Sequence, residues 1–112
     1  MTISNEKLKN YPFLAEMTQD AYFPPHLVAK GQQLLLDMCA TIEAESPQGL
    51  TELYAITQAT TDDFNALAEE FEENGSEIET AARDCIGTDF AVIASAYGFD
   101  ADIEELIATR DW

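Results

Sequence analysis

Apolar residues recur at intervals of three and four along this chain, which is the period of an α-helix. Five helical segments follow from that pattern. The first begins near Pro12, presents Phe13, Leu14 and Met17, and ends before the corner Tyr22-Phe23-Pro24-Pro25, where the residue preceding each proline is pushed out of the helical region. A second runs from Pro25 to about Glu45, with a stripe of Leu27, Val28, Leu34, Leu35, Met38 and Ile42. Gly31 interrupts it at a cost of about 1 kcal/mol relative to Ala, which points to a close helix crossing or a tolerated weakness.

Ser46-Pro47-Gln48-Gly49 marks a break, with Ser46 expected to cap a third helix whose first turn holds Pro47. Leu50, Leu53, Tyr54, Thr57, Thr60, Phe64, Leu67 and Phe71 share one face of that helix, and Asn74-Gly75 supplies a left-handed ending. Ser76-Glu77-Ile78-Glu79 then has the spacing of a capping box that opens a fourth helix running to Tyr97. Ile78, Ala82, Cys85, Ile86, Phe90, Ile93 and Tyr97 form its inward stripe, and Gly98 ends it. Asp100 is placed to cap a last helix that turns Ile103, Leu106 and Ile107 inward, and Trp112 is expected to dock. The sum is an all-α fold, a single compact bundle of about five helices spanning residues 1–112.

Charge changes this picture more than composition does. The 112 residues carry 22 acids against five Lys plus Arg, for a net charge of −17. Fifteen of those acids, with only Arg83 and Arg110 to offset them, lie in residues 57–112. A compact body so loaded projects a negative field that attracts cationic partners and repels nucleic acid and anionic lipid. Hydrophobic content of 46% is ordinary for a folded domain, so the charge does not imply disorder. Met1-Thr2-Ile3-Ser4-Asn5-Glu6-Lys7 has no basic region leading into an apolar run, and no later stretch reaches the ~20 apolar residues of a membrane span, so the expected location is the cytoplasm.

Tests for chemistry yield little. Cys39 and Cys85 fall on apolar helix faces as inert packing thiols, and a disulfide between them requires Cα atoms within about 7 Å. The one histidine, His26, lacks the Glu-x-x-His spacing of a carboxylate metal centre, and Glu70, Glu73 and Glu77 would attract hard cations only diffusely. No nucleophile turn or Gly-rich phosphate loop is present, so no catalytic residue, metal ligand or cofactor is assigned. Arg83 is expected to pair with Glu79 one turn earlier, and Arg110 to offset the last helix's dipole or pair with Asp111.

Tyr22-Phe23-Pro24-Pro25, the run from Phe71 through Asn74-Gly75-Ser76-Glu77-Ile78-Glu79-Thr80 to Arg83, Tyr97-Gly98-Phe99-Asp100 and the ending Glu104-Glu105-Leu106-Ile107-Ala108-Thr109-Arg110-Asp111-Trp112 resemble a family of small bacterial proteins classed as a domain of unknown function. That resemblance covers nearly the whole chain and implies a bacterial, single-domain protein, with no activity to carry over.

Function is therefore sought in the charge. The leading expectation is a non-enzymatic module that holds a basic protein, as immunity proteins against nuclease toxins and nucleic-acid mimics do, through an acidic face of Glu69, Glu70, Glu72, Glu73, Glu77 and Glu79. The alternative is a small-molecule binder or enzyme with a pocket near the Tyr22–Pro25 corner and the Asn74–Glu77 turn. A third is self-association through the less acidic N-terminal half.

Overall fold

The computed structural model describes residues 3–112; Met1 and Thr2, the start of the stretch read above for a leader, lie outside the described residues. Five helices follow in order: α1 (Ala15–Thr18), α2 (Pro25–Glu45), α3 (Leu50–Glu73), α4 (Thr80–Ala96) and α5 (Ile103–Leu106). The fold is all-α, with no strand among the described residues.

α2 and α3 form an antiparallel hairpin, the most extensive helix pair in the structure. Neighbours crowd Gly31 of α2, where an added Cβ would come within 2.8 Å of Leu14 Cδ1 and 3.3 Å of Phe64 Cε1 of α3. The glycine marks a close packing point where three elements meet. α4 lies against the hairpin through Phe90, whose ring centroid is 5.9 Å from that of Phe64. The two short helices fill the remaining seams: α1 packs on α2 and α4, and α5 on α3 and α4.

Several helix ends differ from their expected chemistry. Ser46 does not cap α3; it is the left-handed terminus of α2 (φ 48°), its N–H donating to the Ile42 carbonyl, and α3 starts at Leu50 after an extended Gly49. Ser76 does not open α4 either. Its N–H donates to the Phe71 carbonyl while the N–H of Gly75 (φ +77°) donates to that of Glu72, the paired closure of a Schellman motif. The same closure ends α4, with Phe99 N–H to the Ala94 carbonyl and Gly98 N–H to that of Ser95. A serine following a helix-ending glycine can serve either helix, and here it finishes α3. α4 consequently begins at Thr80 behind Glu79, with no side-chain cap. The α5 cap is Asp102, accepting from Glu104 N–H at 3.1 Å, where Asp100 was expected. α1 is shorter than expected because Leu14 is left-handed (φ 56°) and stops the helix from reaching back to Pro12.

Two irregular segments are as much part of the core as the helices. At the N-terminal end, Ile3, Leu8, Phe13 and Leu14 are all buried. Glu43 pins this strap: its carboxylate accepts from the backbone N–H groups of Ser4 and Asn5, from the Ser4 hydroxyl, and from the Tyr97 hydroxyl at 2.6 Å. At the other end, Gln58 and Asn65, two turns apart on α3, hold the last segment. Gln58 Nε2 donates to the Glu105 carbonyl and Asn65 Nδ2 to that of Thr109, while Asn65 Oδ1 accepts from Asp111 N–H. Trp112 thereby docks with its ring centroid 6.3 Å from that of Phe64.

Those donors, the Tyr97 hydroxyl foremost, hold Glu43 below its ordinary carboxylate range. A carboxylate whose folded pKa is depressed contributes stability above its unfolded value of about 4.3, and that contribution is lost as pH falls through the lower folded value. Tyr97→Phe is expected to cost about 1.5 kcal/mol at neutral pH, the worth of a hydrogen bond to a charged group. Urea titrations at pH 7 and pH 3 check this, with the cost shrinking at the acid end.

Candidate functional site

The carboxylates expected to form one acidic face do not all look the same way. Glu69 and Glu72 lie three residues apart on the last turns of α3, and the reversal at Asn74–Ser76 brings Glu77 back beside them. The docked C-terminal segment adds Asp111. Together these four line a cleft of about 460 Å³ whose apolar walls include Ile78 and Trp112. Glu70 faces away: it lies on the α2 side of α3, paired with Lys30 Nζ at 2.5 Å. Glu73 and Glu79 are exposed but are not among the residues lining the cleft. The carboxylates that line the cleft are therefore Glu69, Glu72, Glu77 and Asp111, the last supplied by tertiary structure, with Glu79 hydrogen-bonded to Glu77 at its edge.

Crowding leaves a mark on Glu77. The Glu79 carboxyl, through a hydrogen bond and its charge, and then the Glu72 charge raise its pKa above the ordinary glutamate value. A cation entering the cleft relieves that repulsion, so cation binding and protonation compete at Glu77.

None of these four carboxylates has an ion-pair partner among the described residues. Among the described residues the ion pairs are Lys9–Glu6, Lys30–Glu70 and Arg110–Glu104. Arg83 does not pair with Glu79; its Nε donates to the main-chain oxygen of Trp112 at 3.2 Å. Arg110 donates to the Ile107 carbonyl just past α5 and pairs with Glu104 in place of Asp111.

Phe23 is buried edge-on to Phe71, with centroids 6.2 Å apart, which packs the Tyr22–Pro25 corner against the end of α3 while Tyr22 stays exposed. Glu77 lines a cleft, but with the C-terminal segment and not with that corner. His26 is exposed, and among the described residues no three His, Cys, Asp or Glu side chains are grouped to hold a metal ion.

Both cysteines are free, so no disulfide links them. Burial pushes the Cys39 thiol up to about 12 and raises that of Cys85 too, where the Asp89 charge adds to the effect. Neither thiol has the lowered pKa that makes a nucleophile at neutral pH. Cys85 lies at a second cleft with Tyr11, Glu16, Asp84 and Asp89.

Asp89 itself is the residue that pattern reading missed. It is 5% exposed, accepts from Leu14 N–H at 2.6 Å and from the Tyr11 hydroxyl at 3.2 Å, and so holds the left-handed residue that ends the N-terminal strap. It sits one position before Phe90, on the inward side of α4.

A protein-family profile described as "Family of unknown function (DUF5713)" matches residues 7–112. The chain belongs to this family. The DUF5713 match takes in all five helices, the anionic cleft and Asp89, in accord with the resemblance drawn from the Tyr22–Pro25, Asn74–Thr80 and Arg110–Trp112 segments. DUF5713 carries no assigned activity, and no curated protein or solved structure is significantly similar to the chain. No helix among the described residues is long and apolar enough to cross a membrane.

Proposed function

We propose that this chain is a non-enzymatic protein-binding module that holds a basic protein through the Glu69–Glu72–Glu77–Asp111 cleft, in the manner of immunity proteins and nucleic-acid mimics. The observation that carries this reading is that four carboxylates border one cleft and none of them takes part in an ion pair among the described residues. Such a surface draws cationic groups by long-range attraction, and the Trp112 and Ile78 walls offer apolar contact for the stems of Lys or Arg side chains. Close charge pairs formed there would set specificity and association rate together.

The same electrostatics disfavour nucleic acid and anionic membranes as partners, and the reading places the protein in the cytoplasm. Pull-down from the source cell with mass spectrometry, comparing wild type with a Glu69→Lys, Glu72→Lys, Glu77→Lys, Asp111→Lys variant, tests the reading. Loss of a basic protein from the variant's eluate, with its helical circular dichroism retained, is the expected result; an unchanged set of co-purifying proteins would sink the idea. Affinity for that partner is expected to weaken as pH falls through the raised range of Glu77, because the partner's cation and the proton compete for one carboxylate.

A further inference from the structure

A second surface, on the α2–α3 hairpin, has a different character from the C-terminal cleft. Leu34 and Met38 of α2 and Ile56 of α3 lie at the bottom of a groove of about 450 Å³ between the two helices, and the small Ala55 and Ala59 keep it open. Leu34 and Asp63 also line a neighbouring hollow of about 420 Å³ that ends at Lys30 and Glu70. The two are therefore one continuous furrow along the hairpin. Every residue lining it comes from α2, α3 or the loop between them, so no other described element covers it. Measured along α3 from Glu52 to Glu70, at 1.5 Å per helical residue, the furrow is about 27 Å long.

Its charge is one-sided. Asp37 and Glu45 of α2 and Glu52 and Asp63 of α3 border the larger hollow. None of the four takes part in an ion pair among the described residues, the one pair along the furrow being Lys30–Glu70 at its far end. Asp37 accepts a hydrogen bond from Gln33 and Glu52 one from Gln48 N–H, neutral donors that leave both charges uncompensated.

The geometry points to a docking groove for a basic amphipathic helix of another protein, about 18 residues long, with apolar side chains at i, i+3 or i+4 and i+7 flanked by Lys and Arg. An apolar strip between two acidic banks is the complement of such a helix: the strip takes its apolar stripe and the banks meet the cations on either side. A second copy of this chain does not fit, since its five Lys and Arg residues are scattered over positions 7, 9, 30, 83 and 110 and no helix of it is cationic. An anionic lipid surface is opposed by the same four carboxylates.

Fluorescence anisotropy at 150 mM salt tests this with the full chain and three labelled 18-residue peptides. The first has leucines at the stated spacing between lysines and arginines, the second has the same composition in scrambled order, and the third keeps the leucines but replaces every base by Glu. Binding of the first at least tenfold more tightly than either control is expected, with amide shifts in NMR spectra concentrated on residues 34–63. Ala59→Trp, which fills the furrow from its exposed side, and the pair Asp37→Lys, Asp63→Lys are each expected to weaken that binding at least tenfold. The Glu69→Lys, Glu72→Lys, Glu77→Lys variant should change it less than threefold, because at that salt charges beyond about 8 Å are largely screened. Equal binding of the scrambled peptide, shifts centred on residues 69–78, insensitivity to Ala59→Trp, or sedimentation as a dimer that the peptide cannot dissociate would each overturn the proposal. Since the cleft variant reports separately, failure here leaves the reading of the C-terminal cleft distinguishable.

Discussion

Phe64→Ala is expected to lower the free energy of unfolding by about 4 kcal/mol, near the middle of the range for removing a buried phenylalanine. Phe64 stands where four elements meet: its ring faces Phe90 of α4 and Trp112 of the C-terminal segment, and lies beside Gly31 of α2 and the Leu14 side chain that reaches the same spot. The cavity left by truncation has walls from every part of the molecule and cannot collapse by moving one of them. Against a total stability of roughly 5–15 kcal/mol for a domain, the variant is left marginal. Urea denaturation followed by the emission of Trp112, the only tryptophan, measures both the loss and the local loosening as a shift to longer wavelength. Phe64→Leu retains most of the volume and should cost less than half as much; equal costs would show that Phe64 is not the packing centre.

Asp89→Ala is expected to cost about 3 kcal/mol, through a different physical route. The carboxylate is the acceptor for the buried Leu14 N–H and for the Tyr11 hydroxyl, and without it a buried donor is stranded beside a residue already held in the left-handed region. Asp89→Asn keeps an acceptor for Leu14 and turns an amide donor toward the Tyr11 oxygen, so it should cost less than about 1 kcal/mol.

The same pair of variants has a signed pH dependence. Burial raises the Asp89 pKa, partly opposed by the Leu14 and Tyr11 hydrogen bonds and aided by the Glu16 charge. With its folded pKa above the unfolded value of about 3.9, Asp89 binds its proton more readily in the native state. It therefore favours folding most at low pH and progressively less as pH rises to the folded value. Asn has no such titration, so its stability relative to wild type should improve as pH rises from about 4. A pH-independent difference would remove the buried-charge account. This trend runs opposite to that of Glu43, whose depressed pKa favours the native state at neutral pH and not in acid. Tyr97→Phe and Asp89→Asn can thus separate the two carboxylates.

The two proposed surfaces share one cause. With 22 acids and five bases, and three ion pairs among the described residues, most carboxylates have no internal counter-charge. What differs is the company each group keeps: reversed backbone and an indole at the C-terminal cleft, a straight apolar furrow on the hairpin. A basic protein with both a cationic tip and a cationic helix could engage the two at once, and their separate variants would then show additive losses.

The periodic pattern by itself determined the all-α class, the α2 span from Pro25 to Glu45, the α3 stripe through Phe64 and Phe71, and the glycine endings at Gly75 and Gly98, because each depends on neighbours within about one helical turn. Gly31 was legible as a close crossing or a tolerated weakness, and only the packing of Leu14 and Phe64 against it decided for the crossing. Tertiary structure alone decided the rest. Ser76 could cap a following helix or finish a preceding one, and the local sequence weighs both alike; packing of the α3 terminus chose the second. Glu70 parted from Glu69 because one residue is 100° of helical rotation, which puts one carboxylate beside Lys30 and the other beside Asp111. Asp89, Glu43, Gln58 and Asn65 were invisible as anchors because their partners are between 38 and 78 positions away or lie in segments with no period. Charge counted along a chain says how strong the field is, but its direction and the apolar surface beside it exist only after distant segments have folded together.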